Sequence, residues 1–246
     1  MKKLALIALL ALASLAAQAN SGGAELEPAN TNIRSKTSLI NGAKYFVNYC
    51  SGCHSLQYQR YNRLGKDLGL TDEEVKQSLI FTGANITDLM QTAMTPEQGE
   101  KFFGKAPPDL TVVAKARGVD WLYNYLLGFY ADPDRPIGWN NRVFPNASMP
   151  HVLWRLEGIK VAEFETHTDD HGIETREMTH FKKIREGVMS EEEYKRTVRD
   201  IANFLGYVGE PAQLIRLRLA PWVLAFLVLF TFLAYLLKRE YFKDVH

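Results

Sequence analysis

Residues 47–56 read VNYCSGCHSL and hold both cysteines of the 246-residue chain, Cys50 and Cys53, with His54 directly behind the second. Two thiols three positions apart have three main uses. A structural zinc site needs four ligands, usually two such pairs or a cysteine pair with a histidine pair. There is no second cysteine pair, and His167 and His171 lie far along the chain in an acidic stretch. A thioredoxin-like dithiol belongs at a strand-to-helix junction in a βαβ pattern, and the flanking residues do not read that way. The third use is covalent haem, with thioethers from Cys50 and Cys53 and His54 as a ligand to the iron. On a helix, positions i and i+3 share a face, so the spacing expects both sulfurs along one helical edge with His54 projecting under the iron.

The two ends of the chain favour the haem reading. Residues 1–20, MKKLALIALLALASLAAQAN, combine Lys2 and Lys3 with an apolar run and close on Ala17-Gln18-Ala19, the small-x-small pattern of a cleaved export signal. Residues 1–19 are therefore expected to be removed, leaving about 227 residues in an oxidising compartment. Near the other end, Leu219–Leu237 is a charge-free run of nineteen residues between Arg218 and Lys238-Arg239, long enough to span a hydrocarbon core as a helix. Pro221 is placed near its start, where a missing N–H costs little, and Trp222, Tyr235 and Tyr241 suit the two interfaces. With an exported N-terminus, the tail 239–246 is cytoplasmic, and Lys238, Arg239 and Lys243 agree with the positive-inside rule.

Net charge is +1 overall, which gives no electrostatic footprint for nucleic acid. Between Glu157 and Glu193, however, eleven acidic residues face five basic ones. That run is read as a solvated surface or as a docking face for a basic partner. Residues 20–38 form an extended leader rich in Gly, Pro and Asn. From Leu39, a helical stripe carries Ile40, Ala43, Val47 and Cys50, and Gly42 one turn from Phe46 would admit a second helix closely. Thr71 with Glu74, and Ser190 with Glu193, are capping boxes. The second opens a helix through about Tyr207 with Val198, Ile201, Ala202, Leu205 and Val208 on one face. Thr111–Tyr130 is read as helix and the remainder as long polar loops. The expected organisation is a haem domain over 39–209, a linker at 210–217, a span at 218–238 and the tail.

A haem-bearing first helix, a last helix packed across it and one C-terminal anchor resemble the class I cytochrome c fold, mostly α with long loops. Four stretches narrow the resemblance to the cytochrome c1 family, the haem subunits of cytochrome bc1 complexes. These are CSGCHSLQYQRYNRL from Cys50, APPDLTVVAKAR (106–117), ASMPHVLW (147–154) and FLGYVGEP (204–211) before the span. The likeness is weakest over 157–190. It implies one haem c, Pro108 against the haem edge, Arg117 at a propionate, and Met149 opposite His54 on the iron. It also implies a cytochrome b subunit, a Rieske iron–sulfur protein as electron donor and a soluble or tethered cytochrome c as acceptor.

The residues by themselves leave the sixth ligand among several methionines. Met90 and Met94 have the spacing of core packing, Met178 lies in the acidic region and Met189 abuts a capping box. Met149 stands in the Pro-bounded loop FPNASMPH; Met94 and His151 remain as alternatives. A rival function is an anchored monohaem cytochrome serving another oxidase or reductase. A peroxidase or gas sensor would need an open sixth position.

Overall fold

The computed structural model describes residues 26–168 and 174–243. The expected export signal and the start of the leader lie outside the described residues, as do Asp169, Asp170 and His171. In chain order the elements are α1 (Lys36–Tyr49), β1 (Leu56–Arg60), α2 (Tyr61–Leu68), α3 (Asp72–Leu79), β2 (Leu89–Met90), α4 (Pro96–Phe103), α5 (Val113–Arg117) and α6 (Val119–Leu127). There follow β3 (Phe129–Ala131), β4 (Trp139–Asn141), α7 (Trp154–Glu157), β5 (Gly158–Thr168), β6 (Glu174–Glu186), α8 (Glu191–Gly209) and α9 (Gln213–Tyr241).

The crossing of α1 and α8 organises the core. Ser35 caps α1, and the reciprocal Ser190–Glu193 box opens α8, whose first turn also carries Glu191 and Glu192 where the helix N-terminus favours anions. Gly42 sits at the closest approach. A Cβ there would lie 2.1 Å from the Asp200 carbonyl oxygen and 2.6 Å from Phe204 Cβ. One turn on, the rings of Phe46 and Phe204 meet at 5.7 Å. Both are fully buried, and burial of such a side chain is worth about 1.5–3 kcal/mol. A polar seam fixes the register beside them: Ser38 donates to Asp200 at 2.6 Å, and Asn203 donates to Ser38 at 2.9 Å.

Two expectations about the domain ahead of the span change. The helix expected over Thr111–Tyr130 is broken at Gly118, whose φ of 91° is open to glycine but costly for other residues. It resumes as α6, and Phe129–Tyr130 becomes strand. The acidic stretch, expected as loop, is a long hairpin. β5 and β6 pair antiparallel from Gly158 opposite Glu186 to Thr168 opposite Glu174, within a four-stranded sheet ordered β4-β3-β5-β6. Two glycines make its root: a Cβ on Gly158 would lie 2.2 Å from Arg185 O, and one on Gly187 2.1 Å from Leu156 O. Across the strands the Glu163 carboxylate meets the Lys182 ammonium at 3.6 Å and the His180 ring at 2.9 Å. Part of the acidic excess is thereby internally balanced, and the charged residues had hidden the strand alternation.

Helix α9 is long and apolar enough to cross a membrane, with none of its residues buried by the rest of the chain. It begins at Gln213, so Pro221 lies inside the helix and not in its first turn. Glu210 pairs with both Lys115 and Arg216, which ties α5, the end of α8 and the first turn of α9 together.

Candidate haem site

Cys50 is the C-cap of α1, its N–H donating to Phe46 O. The chain then turns tightly: the N–H groups of Cys53 and His54 both donate to Cys50 O, at 3.0 and 2.9 Å. The three residues therefore sit on a turn leaving the helix, not on the helix face that i, i+3 spacing alone suggested. Cys50 is buried and Cys53 half-buried, and no disulfide joins them. Burial, with Cys53 adding to it, pushes the Cys50 thiol up to about 12, and burial raises Cys53 too. Both remain thiols at neutral pH.

His54 is buried, and its Nδ1 lies 2.7 Å from Pro108 O. A carbonyl oxygen only accepts, so Nδ1 carries the hydrogen and Nε2 keeps its lone pair, the form in which imidazole binds a metal. Burial lowers the His54 pKa, opposed by the Pro108 bond and by Asp109, so the neutral ring is the form expected at pH 7. The segment behind Pro108 is stitched to the turn. Leu110 N–H donates to Ser55 O at 2.9 Å, Gln57 N–H to the Asp109 carboxylate at 2.8 Å, and Thr92 Oγ1 to Gly52 O at 2.8 Å. The structure thus brings His54 and Pro108 together through a backbone carbonyl.

Met149 belongs to a second cluster. Its sulfur accepts from Tyr125 Oη at 3.5 Å. Tyr125 stacks on Trp121 at 4.9 Å, and the Arg117 guanidinium lies 5.2 Å over Trp121 and 6.0 Å over Phe144. Burial pushes the Tyr125 hydroxyl up to about 12, so it stays a donor. Cys50 is part of the hydrophobic core, and Met149, Trp121 and Tyr125 pack against that same core. The Met149 loop is shaped by two asparagines that sequence reasoning passed over. Asn141 Oδ1 accepts from the N–H groups of Val143 and Phe144, while Asn140 Oδ1 accepts from Asn146 N–H at 2.8 Å. The adjacent amides in WNNRVFPN were the available signal, since asparagine side chains commonly close such turns. Among the rival sulfurs, Met90 is buried in β2 opposite Leu56 and Met189 accepts from Thr197 Oγ1 at 3.6 Å. His151, the other alternative, directs Nε2 to Glu157 at 2.7 Å.

Two close thiols, a buried imidazole whose Nε2 keeps its lone pair and a half-buried thioether fit a haem c. Comparison with known proteins agrees. The model of the cytochrome C1 family matches residues 34–245. A cytochrome c1 of Allochromatium vinosum is 50% identical over 246 residues, covering all of both chains. The ammonia monooxygenase gamma subunit of Nitrosomonas europaea is 41% identical, covering 100% of this chain and 99% of that protein. A cytochrome c1 of Blastochloris viridis is 26% identical over 93% of this chain and 90% of its own. The chain belongs to the cytochrome c1 family, whose members carry one covalently bound haem c.

Proposed function

We propose that the chain is a membrane-anchored electron relay, passing single electrons from a Rieske iron–sulfur protein to a soluble or tethered cytochrome c within a cytochrome bc1 complex. In this reading Cys50 and Cys53 hold the haem, and His54 Nε2 and Met149 Sδ are the iron ligands. The observation that carries it is the 2.7 Å bond from His54 Nδ1 to Pro108 O, which presents the opposite ring nitrogen with its lone pair. Haem c would supply a one-electron couple when bound, and thioether ligation by Met149 together with His54 imidazole would raise its potential relative to stronger donors. The chain's own residues orient the His54 ring and bury it with Cys50, while quinol oxidation belongs to the cytochrome b subunit. The Arg117 guanidinium is assigned to a haem propionate, for which its planar fork is suited.

The same reading keeps a class I-like haem domain over 39–209, preceded by a signal at 1–19 and a leader at 20–38. A linker at 210–217 leads to the span at 218–238, which crosses a bacterial cytoplasmic membrane. The haem domain then lies in the periplasm and residues 239–246 in the cytoplasm. The Nitrosomonas relative, named as a gamma subunit of ammonia monooxygenase, favours one second reading, an anchored monohaem cytochrome that serves another oxidoreductase. Purification in mild detergent separates the two. Recovery of a b-haem protein and an iron–sulfur protein with this chain supports the bc1 reading; recovery with a different oxidoreductase instead rejects it.

A further inference from the structure

We propose that His151 is a positioning residue for Met149: it anchors the loop that presents the sulfur. This rests on the reading of Met149 as an iron ligand. The sulfur itself is lightly held, half-buried with one polar contact among the described residues, the 3.5 Å bond from Tyr125. Two residues on, the His151 ring is 2% exposed and clasped on three sides. Phe129 stacks on it at 5.2 Å and 8°, the Trp139 ring meets it edge-on at 5.2 Å, and Nε2 lies 2.7 Å from Glu157 Oε2. The other Glu157 oxygen is held by Lys160, whose Nζ also donates to Leu127 O at 2.6 Å. The anchor thus reaches the end of α6, β3, β4, α7 and β5.

Two connections carry that rigidity to the sulfur. Pro150 separates the two residues and restricts the backbone of Met149 away from the helical region, so the loop does not freely absorb a shift at His151. Phe129, stacked on His151, also meets Tyr125 edge-on at 5.0 Å, and Tyr125 is the donor to the sulfur. Loss of the imidazole would loosen both. Because an external ligand competes with the sulfur for the sixth position, a tenfold weaker sulfur–iron association raises the apparent affinity for carbon monoxide tenfold.

The test compares four full-length variants and one substitute, produced with covalent haem, by carbon monoxide titration of the reduced protein and by the sulfur-to-iron charge-transfer band of the oxidised protein. His151→Ala is expected to keep its covalent haem, weaken the band and raise carbon monoxide affinity about tenfold, equivalent to about 1.4 kcal/mol. His151→Gln, which retains an N–H donor for Glu157, should restore part of the wild-type behaviour. Gly42→Ala, which strains the α1–α8 crossing, should lower thermal stability without moving either readout, so general destabilisation is distinguished from positioning. Should His151→Ala not accumulate, Phe129→Leu carries the same expectation at smaller size. Met149→Leu separates the two levels. If Met149→Leu keeps the band, the ligand assignment fails. If it loses the band while His151→Ala or its substitute matches wild type in both readouts, the positioning role is overturned.

Discussion

The two halves of the proposed haem site are built in different ways. The His54 half is local and made largely of main chain: a helix end, a four-residue turn with two N–H groups on Cys50 O, and a neighbouring segment whose Pro108 carbonyl fixes the ring. The Met149 half is assembled from distant side chains, with Tyr125, Phe129, Asn140, Asn141 and His151 converging on one loop. A main-chain frame tolerates little, since each bond depends on the others. A side-chain frame yields by degrees. Damage to the first half should therefore be nearly all-or-none, and damage to the second graded.

The largest expected effect is on the first half. Replacing Cys50 and Cys53 together by serine should abolish covalent haem, read as complete loss of haem colour from the denatured protein on a gel. Haem retained through denaturation in that variant would contradict thioether attachment. Next comes Gly42→Ala, which presses on the crossing that carries α1. Its Cβ would meet the backbone oxygen of Asp200, and overpacking of this kind costs about 1–3 kcal/mol. A thermal melt of the haem domain should shift down while the haem stays attached; an unchanged melt would show that the helices separate freely. Smallest is Tyr125→Phe in the second half, which removes only the hydroxyl donor to the sulfur. One neutral hydrogen bond is worth about 0.5–1.5 kcal/mol. The reduction potential should fall slightly with the sulfur still bound, and a spectrum lacking the sulfur band would give Tyr125 a larger role than the geometry does.

The same contrast decides what the sequence revealed. Cys50, Cys53 and His54 suggest haem attachment because the motif is contiguous, and Gly42 with Phe46 foretells the α8 contact because helical spacing places them one turn apart. The capping boxes at Thr71 and Ser190 are equally local, and both are present. A third, Thr95 with Gln98 ahead of Pro96, carried the same signal and was passed over. The β5–β6 hairpin escaped because partners such as Glu163 and Lys182 meet only once the strands pair. Gly118 gave too little notice of the break between α5 and α6, since a lone glycine in a helical pattern is often tolerated. Met149 stood out from Met90, Met94, Met178 and Met189 mainly through family resemblance, as its supporting residues are spread from Tyr125 to Glu157. The Glu157–Lys160 pair, read as part of an acidic surface, is in fact a buried anchor.

The most direct test of the account is the oxidised spectrum of Met149→Leu beside that of the wild type. Leucine keeps the apolar bulk and removes the sulfur, so the fold and both thioethers should survive. Wild type should show the weak sulfur-to-iron charge-transfer band, and Met149→Leu should lack it, bind carbon monoxide once reduced and titrate at a lower potential. A band that persists in Met149→Leu would place another sulfur on the iron and contradict the His54–Met149 site.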